Sequence, residues 1–400
     1  MRHAVTRSVP LWRNWMVTAM KHETTMTRFH EPDYDRVLAL SAVALVLLGW
    51  VMVSSSSFSI AHHLTGDPWH FSVRHGIYLV LGFGFMLAVT SIPLRHWAVL
   101  GPILLICGLC LLVLVLIVGK EVNGSRRWLS FGIMNLQVAE LVKLFVVVYL
   151  ANYLVRRAEL VQTRLEGFVR PLLVMGAVTV LLLLQPDFGS AAVIVATVLA
   201  MMFLGGARLW QFIVLLIVVI GAMAFVATSE AYRVRRLTSF LDPWADPFRD
   251  GYQLVQSLIA FGRGGVWGSG LGDGVQKMAF LPEPHTDFIV SVIAEELGLI
   301  GLVVVVVLFT TILWRALSIG RRALKQKACF TGYLCYGLGF SLFSQAMVNI
   351  GVASGLLPTK GLTLPLVSYG GSSLLISMAS IGLLLRADFE TRHPHLEGAR

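Results

Sequence analysis

Residues 281–301 read LPEPHTDFIVSVIAEELGLIG and combine a long apolar run with acidic side chains. Glu283 and Asp287 stand just before and at the start of the run, and Glu295 and Glu296 lie inside it. A carboxylate in hydrocarbon is costly unless it faces other protein groups or water. Each acid is therefore either a candidate functional group or one half of an ion pair that holds the fold together.

Helical spacing decides which of these acids could act together. If the stretch is a helix, Asp287, Ser291 and Glu295 share one face, and Glu295 lies about 12 Å deeper than Asp287. Glu296 faces the other way and needs a partner of its own. The residues around Asp287 favour it, more than the other acids, as the functional group.

The composition is that of a membrane protein. Of the 400 residues, 56% are hydrophobic and only 14% are charged, whereas soluble domains carry roughly 25% charged residues. A bilayer is crossed by about 20 apolar residues, and ten runs come near that length: 37–57, 76–93, 97–118, 139–155, 171–185, 188–204, 209–227, 287–314, 329–350 and 364–385. The sequence predicts an all-α, polytopic protein with ten transmembrane helices.

The distribution of charge predicts the orientation. The net charge of +10 is not a nucleic-acid signal, because 20 of the 32 Lys and Arg residues fall in segments that share one side of the membrane. By the positive-inside rule, both termini lie in the cytoplasm. We expect a cytoplasmic tail at 1–36, a membrane domain at 37–385 with one large periplasmic loop at 228–286, and a cytoplasmic tail at 386–400.

Several outer segments have distinctive sequences. Residues 58–75 form the first predicted outside loop, and residues 119–138 are too polar to span and are expected at the membrane interface. The glycine-rich residues 262–274 are expected to form a flexible loop. Helices that start at the outer face direct positive dipole ends outward, and acids are expected in the first turns of three of them: Glu140, Asp187 and Asp287.

The outer side also gathers cationic side chains, namely Arg126, Arg127, Lys143, Arg263, Lys277 and Lys360. Helix N-termini together with Arg and Lys form phosphate sites, and a nearby carboxylate can take a proton from a hydroxyl. An apolar groove between helices can hold a lipid tail. These features suit a reaction on a lipid-linked pyrophosphate, although transporters also gather charges at helix ends. The sequence has no P-loop and no Rossmann fingerprint, which argues against nucleotide chemistry.

Several blocks of sequence, in their order along the chain, resemble those of a known protein family. They are NGSRRWLSFG (123–132) with QVAELVKL (137–144), QPDFGS (185–190), DPWADPFRDGYQLVQSLIAFGRGG (242–265), LPEPHTDFIVSVIAEELG (281–298) and PTKGLTLPLVSYGGSS (358–373). The chain resembles the SEDS family (shape, elongation, division, sporulation) over nearly the whole membrane region. The residues 359–361 and the Asp-Pro-Trp loop resemble the cell-division branch more than the elongation branch.

The resemblance implies a peptidoglycan glycosyltransferase of the inner membrane, acting at the division septum. Such enzymes polymerise lipid II, an undecaprenyl-pyrophosphate disaccharide-pentapeptide, with inversion at the anomeric carbon. The family's essential acid falls on Asp287, as general base toward the acceptor 4-hydroxyl, and a divalent cation such as Mg²⁺ or Mn²⁺ is compatible with that role. The other expected substrate-site residues are Arg127, Glu140, Lys143, Glu283, His285, Thr286, Lys360 and Ser368.

The resemblance also implies partners: a class B penicillin-binding transpeptidase, other divisome proteins and the lipid bilayer, with no nucleic acid. For Lys143, an ion pair with Glu140 is as good an interpretation as a phosphate contact, and Arg126 is expected to face solvent or headgroups. Two other classes of function stay open. The protein could flip lipid II across the membrane, or it could be a scaffold that only activates a partner and does not need the Asp287 carboxylate.

Overall fold

The structure is a computed structural model and describes residues 34–122, 125–130, 135–228, 240–249, 251–278, 280–358 and 361–394. The helices are α1 (Arg36–Thr65), α2 (His70–Ser91), α3 (Leu94–Val118), α4 (Val138–Arg156), α5 (Ala158–Thr163), α6 (Leu165–Leu184), α7 (Phe188–Leu204), α8 (Leu209–Thr228), α9 (Tyr252–Gly264), α10 (Ile289–Lys325), α11 (Cys329–Ala353) and α12 (Gly371–Arg392). Three strands, β1 (Lys120–Val122), β2 (Ser125–Ser130) and β3 (Asn135–Gln137), lie between α3 and α4.

The helices account for all ten apolar runs of the sequence. Within the described ranges, seven helices are long and apolar enough to cross a membrane, and α7 and residues 209–218 of α8 are shorter apolar helices. Helix α11 has 25 residues and carries the polar side chains of Gln345 and Asn349, and it is not among those seven helices. The prediction of a polytopic helical membrane protein is confirmed.

Helices α4 and α12 form the centre of the bundle. In their apolar windows 72% and 78% of the residues are buried, against 17% in α2. Helix α10 packs along α11, and α2 packs along α12. Small residues allow close approach between apolar helices, as at Gly337 of α11, where an added Cβ would lie 2.5 Å from Val147 and 2.6 Å from Met201.

Helix α1 is longer than the sequence predicted. Asp35 caps its start by accepting a hydrogen bond from the Leu38 amide at 3.0 Å, and it ends at Gly66, which has a left-handed φ of 76°. The polar patch 54–57 does not end the helix, because Ser54 donates to the Trp50 carbonyl one turn earlier at 2.7 Å. The predicted outside loop 58–75 is therefore wrong, and residues 66–69 connect α1 to α2.

The segment between α3 and α4 corrects the all-α prediction. Strands β1, β2 and β3 form a three-stranded antiparallel sheet in sequence order. Trp128 pairs with Gln137, and Leu129 pairs with Leu136. A small sheet satisfies its backbone groups internally, which suits a short polar segment at the edge of a bundle.

Part of the predicted large loop folds into a hairpin, formed by α9 and residues 265–278. We call it the outer hairpin, where outer denotes the end of the bundle opposite to Asp35 and Asp388. Helix α10 is broken at Gly298, which has φ 67° and ψ −163°. At the break, the carbonyls of residues 295 and 296 accept from the amides of residues 269 and 270 at 2.9 and 3.1 Å. The amides of residues 299 and 300 donate to the carbonyls of residues 265 and 266 at 2.9 and 3.3 Å. The predicted flexible loop at 262–274 is thus wrong, because its backbone completes a broken helix.

Helix α12 continues past residue 385, where the membrane domain was predicted to end, and it reaches Arg392. Buried Asp388 accepts from Arg392 at 2.8 Å and pairs with Arg322 at 3.1 Å. The rest of the two predicted tails, residues 1–33 and 395–400, lies outside the described residues.

We expect Gly298→Ala to destabilise the protein by roughly 1–3 kcal/mol, the usual cost of one strained backbone position. The substitution places a Cβ 2.3 Å from the Gly268 amide nitrogen at a left-handed φ. Thermal unfolding in detergent measures the effect. The matched control is Gly84→Ala in α2, where an added Cβ meets no atom within 4 Å, and equal melting temperatures for the two variants would contradict the prediction.

Candidate active site

Asp287 lies in a turn, residues 281–288, that joins the outer hairpin to α10. The amides of Thr286 and Phe288 donate to the carbonyl of Glu283 at 3.3 and 3.4 Å, and Glu283 has a positive φ of 51°. Helix α10 begins only at Ile289. The predictions that Asp287 occupies the first helical turn and shares a helix face with Glu295 are therefore wrong, since its backbone is set by the turn.

A second segment, residues 361–370, fastens this turn, and we call it the outer strap. Ser368 donates from Oγ to the Thr286 carbonyl at 2.6 Å and accepts from the Leu364 amide at 2.8 Å. The amide of Tyr369 donates to the His285 carbonyl at 2.9 Å. Ser368 was predicted as a substrate ligand; in the structure its hydroxyl proton is engaged in joining the two segments.

The carboxylate of Asp287 is half-buried and lies against the outer strap. A Cβ added to Gly361 would lie 2.6 Å from Asp287 Oδ2, so the strap can come this close only with glycine. In the part of the chain that the structure describes, no hydrogen bond reaches this carboxylate. Its two oxygens are thus available to a ligand.

The surroundings raise the pKa of Asp287 to about 7. Burial is the largest cause, and the negative charges of Glu283 and Asp187 act in the same direction, while the Arg127 guanidinium opposes them. A general base works best when its pKa is near the working pH. The site therefore holds a carboxylate suited to accept a proton at neutral pH.

Arg127 is fixed beside the α6–α7 turn. Its side chain donates to the carbonyls of Gln185 and Pro186 at 3.2 and 2.5 Å, and Asp187 caps α7 through the Ser190 amide at 3.1 Å. Strand β2 thus places a cation within electrostatic range of Asp287. The neighbouring Arg126 is half-exposed and pairs with Glu121 at 3.4 Å, which agrees with its expected solvent position.

Glu140 and Lys143 lie inside the bundle. Glu140 is in the first turn of α4, as expected, and Lys143 donates to it at 2.8 Å and to Gln345 at 2.5 Å. The two charged side chains are 2% and 4% exposed, and they line a small cavity of about 20 Å³. These contacts account for the burial of both charges without a ligand, and a phosphate contact from Lys143 stays a prediction.

The remaining predicted residues surround the turn. His285 packs against Phe71 and Tyr369 at ring-centroid distances of 4.7 and 5.4 Å, and burial lowers its pKa. Its Nδ1 is buried and has no hydrogen-bond partner among the described residues. Thr286 donates to the Glu283 carboxylate at 3.0 Å. Lys360 lies outside the described residues.

The two glutamates inside α10 have structural partners. Glu295 accepts from the amides of residues 275 and 276, at 2.8 Å for the nearer one, and pairs with Arg263 at 3.5 Å. Glu296 accepts from Lys277 at 2.5 Å and from Ser55 at 2.8 Å. The ion-pair interpretation holds for both, and Glu296 has the separate partner that its position required.

An apolar groove of about 610 Å³ opens between α1 and α2. It is lined by Trp50, Ser54, Trp69, Ser72, Val73, Gly76, Ile77, Val80 and Leu81. Phe71 is next to the lining residue Ser72 in the sequence, and its ring contacts the His285 ring. The start of α2 thus contributes both to the groove and to a contact with the turn that carries Asp287.

Sequence reasoning missed Asn349 of α11. Its side-chain nitrogen donates to the Asp287 carbonyl at 2.9 Å and to the Leu362 carbonyl. The only available signal was a buried amide in an apolar run, which a sequence pattern cannot connect to residue 287.

Comparisons with known proteins agree with this architecture. The sequence model of the FtsW/RodA/SpoVE family, described as "Cell cycle protein", matches residues 35–393. The chain is 52% identical over 362 residues to the "Probable peptidoglycan glycosyltransferase FtsW" of Idiomarina loihiensis, covering 90% of this chain and 88% of that protein. It is 47% identical over 382 residues to the protein of the same name from Escherichia coli, covering 94% and 92%.

Two solved structures share the fold. One, described as a peptidoglycan synthase complex that coordinates polymerization and crosslinking, contains a chain with a TM-score of 0.73 and 30% identity, covering 90% of this chain and 98% of that one. The other is the rod shape determining protein RodA of Thermus thermophilus, with a TM-score of 0.66 and 30% identity, covering 90% and 97%.

We expect Lys143→Met to lower stability by roughly 3–5 kcal/mol, because removing one partner of a buried ion pair leaves the Glu140 charge uncompensated. Thermal unfolding in detergent measures the loss. The control is the double variant Lys143→Met with Glu140→Gln, which removes both charges and should recover most of the stability. An unchanged melting temperature, combined with weaker binding of the lipid-linked substrate, would show instead that Lys143 contacts phosphate.

Proposed function

Because the chain belongs to the FtsW/RodA/SpoVE family of cell cycle proteins, we propose that this peptidoglycan glycosyltransferase polymerises lipid II with Asp287 as its general base. The proposal rests on the environment of the Asp287 carboxylate. It is half-buried, it accepts no hydrogen bond among the described residues, and its pKa is about 7. Other buried acids have partners: Glu140, Glu295 and Glu296 are in ion pairs, and Asp187 accepts hydrogen bonds from Ser190.

The reaction is a single displacement. Asp287 takes the proton of the acceptor sugar's 4-hydroxyl as the oxygen attacks the donor's anomeric carbon, and the bond from that carbon to the pyrophosphate oxygen breaks. Undecaprenyl pyrophosphate leaves with the bonding electron pair, and the proton passes from Asp287 to water. One base and one displacement convert an α-linked donor into a β-1,4 product, as in other inverting enzymes.

Arg127 stabilises the charge that develops on the leaving group. Two of its nitrogens are fixed by carbonyls of the α6–α7 turn. Nη1 has no hydrogen bond to another described residue and can face a phosphate. A fixed cation near developing negative charge lowers the barrier because it needs no reorganisation during the reaction.

A divalent cation stays a prediction. Among the described residues, no three His, Cys, Asp or Glu side chains come together as a metal-binding group. Mg²⁺ is often held by one or two carboxylates and by substrate phosphates, so Asp287 and the pyrophosphate would hold such an ion. It would neutralise phosphate charge.

The groove between α1 and α2 is the proposed site for the start of the undecaprenyl chain. Its walls are apolar, and the polar groups of its two serines satisfy each other at 2.6 Å. Helix α2, which lines the groove, also contacts His285 two residues before Asp287, through Phe71.

The proposed topology has ten spans, both termini in the cytoplasm and the site at the outer face. It is supported by the Lys and Arg distribution and by the helix found at each apolar run. Lipid II polymerisation at the division septum, with a class B penicillin-binding transpeptidase and other divisome proteins, follows from the relatives' names and from the likeness to a peptidoglycan synthase complex.

We expect Asp287→Asn to abolish polymerisation of lipid II by the purified protein with its transpeptidase partner, while the melting temperature stays near that of the wild type. The amide cannot accept the hydroxyl proton. Gel analysis of the glycan product measures the loss. Glu121→Gln is the matched control, because it neutralises an exposed acid of the outer sheet and should leave polymer length unchanged.

Robust polymer from the Asn variant would refute the base assignment and support the scaffold alternative. A fluorescent lipid II in sealed vesicles tests the flippase alternative, since only transport moves the label between leaflets.

We expect polymerisation to rise with pH through about 7, because the ionised form of Asp287 is the active one. Glu283→Gln removes a negative charge that raises this pKa, so the acidic limb of the rate profile should move to lower pH. Arg127→Gln removes the opposing cation and should move the limb to higher pH. Arg126→Gln is the control and should leave the limb in place. Shifts in the opposite directions would contradict the assignment.

A further inference from the structure

Two side-chain amides on α11 connect the bundle to the outer strap. Gln345 and Asn349 are one helical turn apart and share a face. Gln345 donates to the Thr363 carbonyl at 3.1 Å, and Asn349 donates to the carbonyl of the preceding residue, Leu362. Consecutive carbonyls of the strap are therefore fixed by successive turns of one helix.

Only Asn349 also reaches the turn that carries the acid. Its Nδ2 donates a second hydrogen bond, at 2.9 Å, to the carbonyl of Asp287 itself. The residue is 1% exposed, and its Oδ1 has no partner among the described residues. The side-chain nitrogen of Asn349 thus donates to both segments that meet at the candidate site. Its two acceptors, Asp287 and Leu362, are 62 and 13 positions away from Asn349 in the sequence.

The position of the strap decides the environment of the carboxylate. Gly361 immediately precedes Leu362, and its backbone lies against Asp287 Oδ2. A shift of the Leu362 carbonyl would move Gly361 away from the acid and admit water. The same shift would change the direction of the Asp287 side chain, because Asn349 also holds its backbone.

We propose that Asn349 is a positioning residue for Asp287, which acts by bridging the backbones of the turn and the outer strap so that the carboxylate stays half-buried and correctly directed. The inference rests on the proposed role of Asp287 as the base. Gln345 does not share this role, since its other contacts are with the buried Glu140 and Lys143.

The test is Asn349→Leu, a change of similar size that removes both donors. We expect kcat for lipid II polymerisation to fall by about a hundredfold, the effect of a misplaced catalytic group, with KM unchanged because no substrate contact is lost. We also expect the acidic limb of the rate profile to move to lower pH. The charged groups that act on Asp287 among the described residues, Glu283, Asp187 and Arg127, are all still present, so the movement reports water reaching the carboxylate.

Asn152→Leu is the matched control. Asn152 of α4 is also a buried asparagine, and it donates to the Ala98 carbonyl at 2.5 Å, far from Asp287 in the fold. Asn152→Leu should show how far kcat falls when a buried asparagine elsewhere in the protein loses its hydrogen bond. Rates are expressed per folded molecule, with the folded fraction taken from size-exclusion chromatography. If Asn349→Leu does not fold, Asn349→Ser, whose hydroxyl donates only one hydrogen bond, serves in its place.

The proposal is supported if Asn349→Leu has a lower kcat than Asn152→Leu and if the acidic limb of its pH–rate profile is displaced. It is overturned if the two variants have equal kcat values or if the acidic limb does not move. The proposed function fails by a different result, namely that the Asp287→Asn protein is active. If Asp287→Asn is inactive and Asn349→Leu behaves like its control, only the positioning role of Asn349 is refuted.

Discussion

A carboxylate taken out of water loses a hydration energy of several kcal/mol, and it stays ionised only where cations or N–H groups replace that water. The fold meets this requirement at one acid after another. Glu140 has Lys143, Glu296 has Lys277, and Asp388 has two arginines. Glu295 is held mainly by backbone amides. These pairs fix how the helices and the outer hairpin fit together.

Against this background Asp287 differs from the other acids of the bundle. It is brought into low-dielectric surroundings by the turn and the outer strap. Among the described residues, the cation that acts on its pKa is Arg127, and the guanidinium of Arg127 is engaged by carbonyls. The raised pKa of Asp287 reflects this incomplete compensation. A group kept in that condition stabilises the fold little, and its placement agrees with the proposed role as a base.

The sequence was sufficient to locate the helices and to single out Asp287 as a candidate base, a role that stays a prediction. It was insufficient for the geometry of both. Apolar runs located the helices because lipid and protein interiors both demand apolar surface. Helix ends were missed where local bonds decide them, as at Ser54, and the sheet was missed because its strands are short. The partners of Glu295 and Glu296 and the double role of Asn349 depend on segments distant in the chain, and no spacing rule connects them.

The break in α10 has a mechanical consequence for Asp287. The outer hairpin bonds to the helix on both sides of Gly298, through the carbonyls of residues 295 and 296 and through the amides of residues 299 and 300. The break therefore interrupts the hydrogen-bond ladder of the helix without making a free joint. The position of Asp287 stays tied, through the hairpin, to the part of α10 that packs along α11.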